Sequence, residues 1–350
     1  MERILPPATP PSGGVRIFPL AAVVCWLGLL AACTPTPRPP PLPSLGIALG
    51  TTTVSGLSSG GYMAVQYQVA FAGEVKGAGI FAAGPWGCAR GRLQLALQDC
   101  VDRPQAAPPV PLLLGRLRSA ALAGDIAPTT ALADDRIWLF RGVHDQRVAP
   151  GVMTALERFY AALIPAGQIN RAPVLDAGHA LPTESTGSRC QESVSPFLAA
   201  CRYDGAGAML ATVTGTAPRP VSEPGELLKF DQRRYDDGRY LDRIGYVYVP
   251  AACRGASARC GLHIAFHGCQ QGASTIGEAF VRDGGYRRAA DRHGVVVLFP
   301  QVGPSYLRPF NPKGCWDWWG YSGANYLSRQ AAQLSAVHAM AEALALTPAP

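Results

Sequence analysis

The sequence has no run of basic residues. Its 350 residues carry 31 Lys and Arg against 24 Asp and Glu, a formal net charge of +7, yet the cations are scattered along the chain. Neutralising a phosphate backbone takes a patch or stripe of positive charge, so no nucleic-acid partner is expected. There is no C-x-x-C pair, the spacing that many zinc sites require, and neither a metal nor another cofactor is expected. The one prominent apolar run, "FPLAAVVCWLGLL", is shorter than the roughly 20 residues a membrane-spanning helix needs. Beyond residue 45 no second proline-rich linker and no internal repeat occurs, so residues 46–350 are expected to form a single domain with a core of ordinary size.

What is present begins with a targeting segment. Arg3 and Arg16 give a basic start, the apolar run follows, and "LAAC" closes it at Cys33. That layout is an export signal. A leucine, two small residues and a cysteine also resemble the bacterial lipobox, which implies a lipidated Cys33 at the mature N-terminus and a membrane as partner. An ordinary cleaved signal or a short anchor helix is the alternative. Each reading of residues 1–33 takes the protein out of the cytoplasm, as a periplasmic or outer-membrane lipoprotein or a secreted monomer. Residues 34–45, from "TPTPRPPPLPS" onward, read as a semi-rigid spacer of polyproline type, because proline fixes φ and resists packing into a core.

Ten cysteines are present. Cys25 goes with the signal and Cys33 with the lipid, leaving an even set in an exported protein, which favours disulfides. Short loops suggest Cys88 with Cys100, Cys190 with Cys201 and Cys253 with Cys260, leaving Cys269 for Cys315.

Short apolar, β-branched runs alternate with helical patterns. "LGIALGTTTVSG" reads as a strand, "GYMAVQYQVAFAG" as an amphipathic helix and "VKGAGIFAAGP" as the next strand. "RIWLFRG", "RIGYVYVP", "LHIAFHG" and "GVVVLFP" are further strands, with helices over "PGVMTALERFYAAL", near 278–292 and near 326–345. This alternation predicts an α/β fold with a mostly parallel central sheet flanked by helices. In such a sheet the chemistry gathers at the carboxyl ends of the strands.

"GLSSG" fits G-x-S-x-G centred on Ser58, with a strand before it and a helix after it. A strand that turns sharply into a helix lifts the serine out of the sheet edge and leaves no room for Cβ atoms two residues to either side, where Gly56 and Gly60 stand. Ser58 is the candidate nucleophile, and the backbone N–H of Ser59 a candidate oxyanion donor. The order Ser, acid, His is completed by Asp145 in "RIWLFRGVHDQRVAP" and His179 in "APVLDAGHALPTE", both in loops after apolar stretches. Asp134 and Asp135 precede their strand and belong at its other end. Asp176 and His144 are the rivals. The second oxyanion donor usually comes from a loop upstream of the nucleophile, where this chain has too few residues. "LHIAFHGCQQGAS" offers it downstream, through the N–H of Cys269, which would make the fold an α/β-hydrolase with circularly permuted strand order.

"GLSSGGYMA", "HGCQQ" and "FNPKGCWDWWGYSG" together resemble the extracellular poly(3-hydroxybutyrate) depolymerases with a circularly permuted α/β-hydrolase domain. The resemblance runs from about residue 46 to the C-terminus. It implies a serine esterase acting on short-chain poly(hydroxyalkanoate) or its oligomers, with Ser58, Asp145 and His179 as triad and Ser59 and Cys269 as oxyanion donors. With Cys315 tied to Cys269, Trp316 is expected beside the oxyanion loop as an apolar wall for substrate, and His267 as a residue that orders that loop. The chain closes on a helix and "TPAP", which leaves no extra substrate-binding module in view and favours amorphous polymer, oligomers or other short-acyl esters. The alternatives are a feruloyl or acetyl carbohydrate esterase, and a non-catalytic surface lipoprotein of hydrolase fold.

Overall fold

The computed structural model describes residues 39–101, 107–236, 238–255 and 260–347. The expected signal, Cys33 and residues 34–38 of the spacer lie outside the described residues. Where the spacer is described it is docked: Leu42 is buried and the Asp231 N–H donates to the Pro40 carbonyl at 3.3 Å. The expectation of an unpacked spacer through residue 45 is therefore corrected, because the chain between the prolines can still offer Leu42 to the core and a carbonyl to a sheet edge.

Eleven strands are described: β1 (Thr52–Leu57), β2 (Val75–Phe81), β3 (Arg136–Phe140), β4 (Ile169–Arg171), β5 (Leu181–Thr183), β6 (Ser188–Arg189), β7 (Leu198–Ala200), β8 (Glu226–Asp231), β9 (Ile244–Val249), β10 (Gly261–Phe266) and β11 (Val295–Phe299). The described helices are α1 (Ser59–Ala70), α2 (Leu93–Asp99), α3 (Val110–Leu122), α4 (Pro150–Ala161), α5 (Gly205–Thr214), α6 (Ala273–Ile276), α7 (Ala279–Asp283), α8 (Tyr286–His293) and α9 (Ala332–Ala345).

Eight strands form one sheet in the order β4-β3-β2-β1-β10-β11-β9-β8. Every pair from β4 to β11 is parallel, and only β9 runs against its neighbours. The mostly parallel α/β sheet expected from the alternation of elements is what the chain forms. The first strand, β1, lies in the middle, between β2 and β10. It is buried along its whole length, as a strand covered on both faces must be, and its β-branched residues suit that place.

Two apolar clusters occupy the two faces. Val54, Ile80, Ile264 and Leu298 pack with α1, α9 and most of α4, whereas Phe81, Val297 and Phe299 pack with α5, α7 and α8. Helix α1 is buried on every side, not amphipathic as its spacing suggested. Its two glycines and two alanines leave neighbours close enough to enclose it. A small second sheet, β5-β7-β6, sits beside the main one and carries the segment after His179. The four disulfides among the described residues join the expected pairs, three across short loops and the fourth between the two cysteines left over: Cys88 with Cys100, Cys190 with Cys201, Cys253 with Cys260 and Cys269 with Cys315.

Candidate active site

The carboxyl ends of β1, β2 and β3 stand side by side. Ser58 N–H donates to Phe81 O at 2.9 Å, and Ala82 N–H to Phe140 O at 2.8 Å, so the strands' pairing continues one residue into each loop. Ser58 itself has φ 57° and ψ −119°, a sparsely populated conformation for a residue with a side chain. Its neighbours explain how the turn can be that tight. A Cβ on Gly56 would lie 2.2 Å from the backbone carbon and oxygen of Gly60, and one on Gly60 would lie 2.2 Å from Phe266 O and 2.4 Å from His267 O. The turn thus presses α1 against the end of β10 and leaves Ser58 partly buried, its hydroxyl with no hydrogen-bond partner among the described residues.

Asp145 lies in the loop after β3. Its Oδ1 accepts from the backbone N–H groups of Arg147 and Val148 at 2.8 and 2.9 Å, and its Oδ2 accepts from His179 Nδ1 at 2.8 Å. Burial works against its ionisation, but those three bonds outweigh it and hold the carboxyl below the usual carboxylate range. The Asp145 side chain is fully buried and the His179 ring nearly so. Arg141 pins the acid's loop by donating to the carbonyls of Val148 and Asp145. The loop that carries His179 lies along the acid's loop, through His144 N–H to Ala177 O and Val143 N–H to Leu175 O. His179 N–H donates to Ser193 Oγ at 2.7 Å. With Nδ1 committed to Asp145, the other ring nitrogen of His179 is left as an acceptor.

The rivals are engaged with each other. Asp176 is exposed, and its carboxylate bonds His144 Nε2 and Gln191 Nε2; those two bonds hold it below the usual range. Asp134 and Asp135 precede β3 and stand at the opposite edge of the sheet.

Beyond β10 the chain enters the His267-Gly268-Cys269 loop. His267 is wholly buried, and burial pushes its pKa down to about 4, so it is neutral. Its Nδ1–H donates to Gly268 O at 2.7 Å and its Nε2 accepts from Val302 N–H at 3.0 Å. The backbone N–H groups of Ser59 and Cys269 have no partner among the described residues. Two free donors, on the turn after Ser58 and on the loop beside it, are what a developing oxyanion requires.

Trp316 is a correction. Its ring is fully buried, packed edge-on against Phe266 at 5.0 Å and beside His267 at 5.5 Å. The Cys269–Cys315 bridge does bring it to the Cys269 loop, but its fully buried ring fills the core and presents no surface to a ligand. Ser193, Gln271 and Arg141 are site-supporting residues that motif spacing did not reveal; each acts through a partner distant in the chain or a backbone carbonyl. Among the described residues no three His, Cys, Asp or Glu side chains cluster as a metal site.

No family profile matches the chain. The chain is 38% identical over 306 residues to a poly(3-hydroxybutyrate) depolymerase of Delftia acidovorans, covering 86% of this chain and 61% of that one. It is 32% identical over 328 residues to a polyhydroxybutyrate depolymerase of Talaromyces funiculosus, covering 90% of this chain and 94% of the other. The chain thus spans less than two thirds of the first relative's length and nearly all of the second's. Among solved structures, a serine-to-alanine PHB depolymerase complexed with an R3HB trimer aligns with TM-score 0.80 at 32% identity, over 87% of this chain and 98% of its own. The PHB depolymerase of Penicillium funiculosum aligns with the same TM-score at 31% identity and the same coverage. With its α/β-hydrolase-like sheet and these relatives along most of its length, the chain belongs to the polyhydroxybutyrate depolymerase family.

Proposed function

We propose that this protein is an exported serine esterase that hydrolyses poly(3-hydroxybutyrate) or its oligomers through an acyl-enzyme on Ser58. The observation that carries the reading is the buried Asp145–His179 hydrogen bond at the same sheet edge where the glycine-framed turn raises Ser58. His179 removes the Ser58 proton as Oγ attacks the ester carbonyl, and the N–H groups of Ser59 and Cys269 receive the oxyanion. His179 then returns the proton to the departing hydroxyl of the next hydroxybutyrate unit. Water, deprotonated by the same ring, attacks the acyl-enzyme, and Ser58 leaves with its proton restored. Asp145 keeps the imidazole in the Nδ1–H tautomer and balances its cation in between.

The R3HB trimer bound by the related structure supports an oligoester substrate. The circularly permuted reading is supported by chain order: β8 to β11, with the Cys269 loop, come after the Ser58 turn yet complete the sheet on its other side. Export is supported by the four disulfides, since such bonds persist in oxidising compartments. No helix among the described residues is long and apolar enough to cross a membrane. On this reading residues 1–33 are the targeting segment, 46–350 act as one monomeric catalytic domain, and intact mass of the mature protein reveals whether Cys33 carries lipid.

The test is release of 3-hydroxybutyrate from amorphous polymer, which Ser58→Ala should lower by several orders of magnitude, together with fluorophosphonate labelling at Ser58. Labelling without release retains the esterase and rejects the polymer substrate. Folded protein that takes no label rejects the hydrolase.

A further inference from the structure

The Gln271 side chain is fully buried and uses both ends of its amide to join two loops. Its Oε1 accepts from Gly268 N–H at 2.7 Å. Its Nε2 donates to Pro196 O at 3.0 Å and to Phe197 O at 3.1 Å. These partners fix the orientation of the amide, because a flipped one would set its oxygen against two carbonyls and its NH2 against an N–H.

Each of the two loops holds one part of the proposed machinery. On one side, Gly268 is gripped by both of its backbone groups: the N–H by Gln271 Oε1, and the carbonyl by His267 Nδ1–H at 2.7 Å and by the Gln271 backbone N–H at 3.2 Å. The Gly268 carbonyl and the Cys269 N–H belong to one planar trans peptide and point in opposite directions. Fixing the carbonyl therefore aims the Cys269 N–H, the bonds it accepts polarise that N–H as a donor, and the Gln271 side chain anchors Gly268 through its other peptide, at the N–H. On the other side, the segment that Gln271 reaches also supports His179. Ser193 Oγ receives the His179 N–H, Phe197 N–H closes a turn onto Val194 O, and Phe197 O also accepts from Leu181 N–H, two residues past the histidine.

We propose that Gln271 is a positioning residue that sets the aim of the Cys269 oxyanion donor and holds it in register with His179. The inference rests on the roles given above to Cys269 and His179. It predicts a loss confined to the transition state: an oxyanion forms only after attack, so a misaimed donor lowers kcat and leaves ground-state binding alone.

The test compares full-length wild type, Gln271→Met and Gln271→Glu on p-nitrophenyl butyrate, with a short alkyl boronic acid as tetrahedral probe. Gln271→Met keeps the volume and removes the three side-chain bonds, while the backbone N–H of residue 271 still reaches Gly268 O. Its kcat should fall about 100-fold, the loss typical of a missing oxyanion donor, with KM within about threefold and boronate affinity reduced in parallel. Gln271→Glu keeps the acceptor for Gly268 N–H. Burial favours its protonated form, which restores one donor, so its kcat relative to wild type should rise as pH falls. A Gln271→Met protein with kcat and boronate affinity near wild type and only a lower melting temperature would reduce Gln271 to packing. Should Gln271→Met fail to fold, a Gln271→Glu protein with kcat and boronate affinity near wild type at every pH overturns the proposal by itself. Failure of the esterase reading is distinct, for then the wild type takes no fluorophosphonate at Ser58.

Discussion

Two buried aspartates flank β3, Asp145 in the loop beyond its carboxyl end and Asp135 just before its amino end. Burial acts on both in the same direction, yet their partners send them opposite ways. Asp145 receives three hydrogen bonds and stays ionised. Asp135 receives one, from Gln68 Nε2 at 2.7 Å, and its Oδ1 is left without a partner. Burial pushes its pKa up to about 7 against that single bond. The edge that carries Ser58 and His179 commits backbone N–H groups to a carboxylate; the opposite edge has merely enclosed one. Counting donors around a buried acid is thus a better guide to its charge than depth.

The contrast can be broken most severely at Asp145. Asp145→Asn leaves the shape and lets the imidazole settle in the wrong tautomer, so kcat on p-nitrophenyl butyrate should fall by about 10³- to 10⁴-fold. A loss under tenfold would remove Asp145 from the orienting role.

Next is pH. Asp135 binds its proton more tightly folded than unfolded, so its effect on stability is most favourable below about pH 4 and erodes as pH climbs through 7. Asp145 has the reverse sign: its contribution is complete above the unfolded carboxylate's pKa and disappears as pH falls through the depressed native value. A rise from 3.8 to about 7 costs at most about 4 kcal/mol above neutrality. Asp135→Asn should therefore raise the melting temperature by about 5 °C at pH 8 and leave it unchanged near pH 4. Equal shifts at both pH values would show that packing, not charge, governs this site.

The smallest effect belongs to the exposed rival. Asp176→Ala severs the contact with His144 and should change kcat by less than about twofold, because exposed pairs contribute little. A larger loss would bring Asp176 into the machinery.

Much of this was legible in the sequence where a local constraint dictated it. The Ser58 turn needs Gly56 and Gly60 whatever else surrounds it, and an acid after one strand of a parallel sheet lies at the same end as a serine after another strand of that sheet. Short loops likewise limited which cysteines could meet. Other features depended on contacts far along the chain. Strand β8 is an edge strand half-exposed along its first residues, and β5, β6 and β7 have two or three residues each, too few for a period to show. The helix anticipated near 278–292 breaks at Gly284 and Gly285 into α7 and α8, and the one near 326–345 starts only at Ala332. The aromatic segment around Trp316 announced apolar contact but not which side of a loop it would fill. Gln271 reads as an ordinary loop amide until residues 196 and 197 are brought beside it.

The contact between α1 and β10 has a consequence for anyone wishing to redesign this protein. Because a methyl group at position 60 would strike the carbonyls of Phe266 and His267, the Ser58 turn and the loop proposed to bind the oxyanion cannot be retuned separately. Libraries aimed at new ester preferences should leave positions 56 and 60 untouched and seek diversity in side chains that face solvent at the rim.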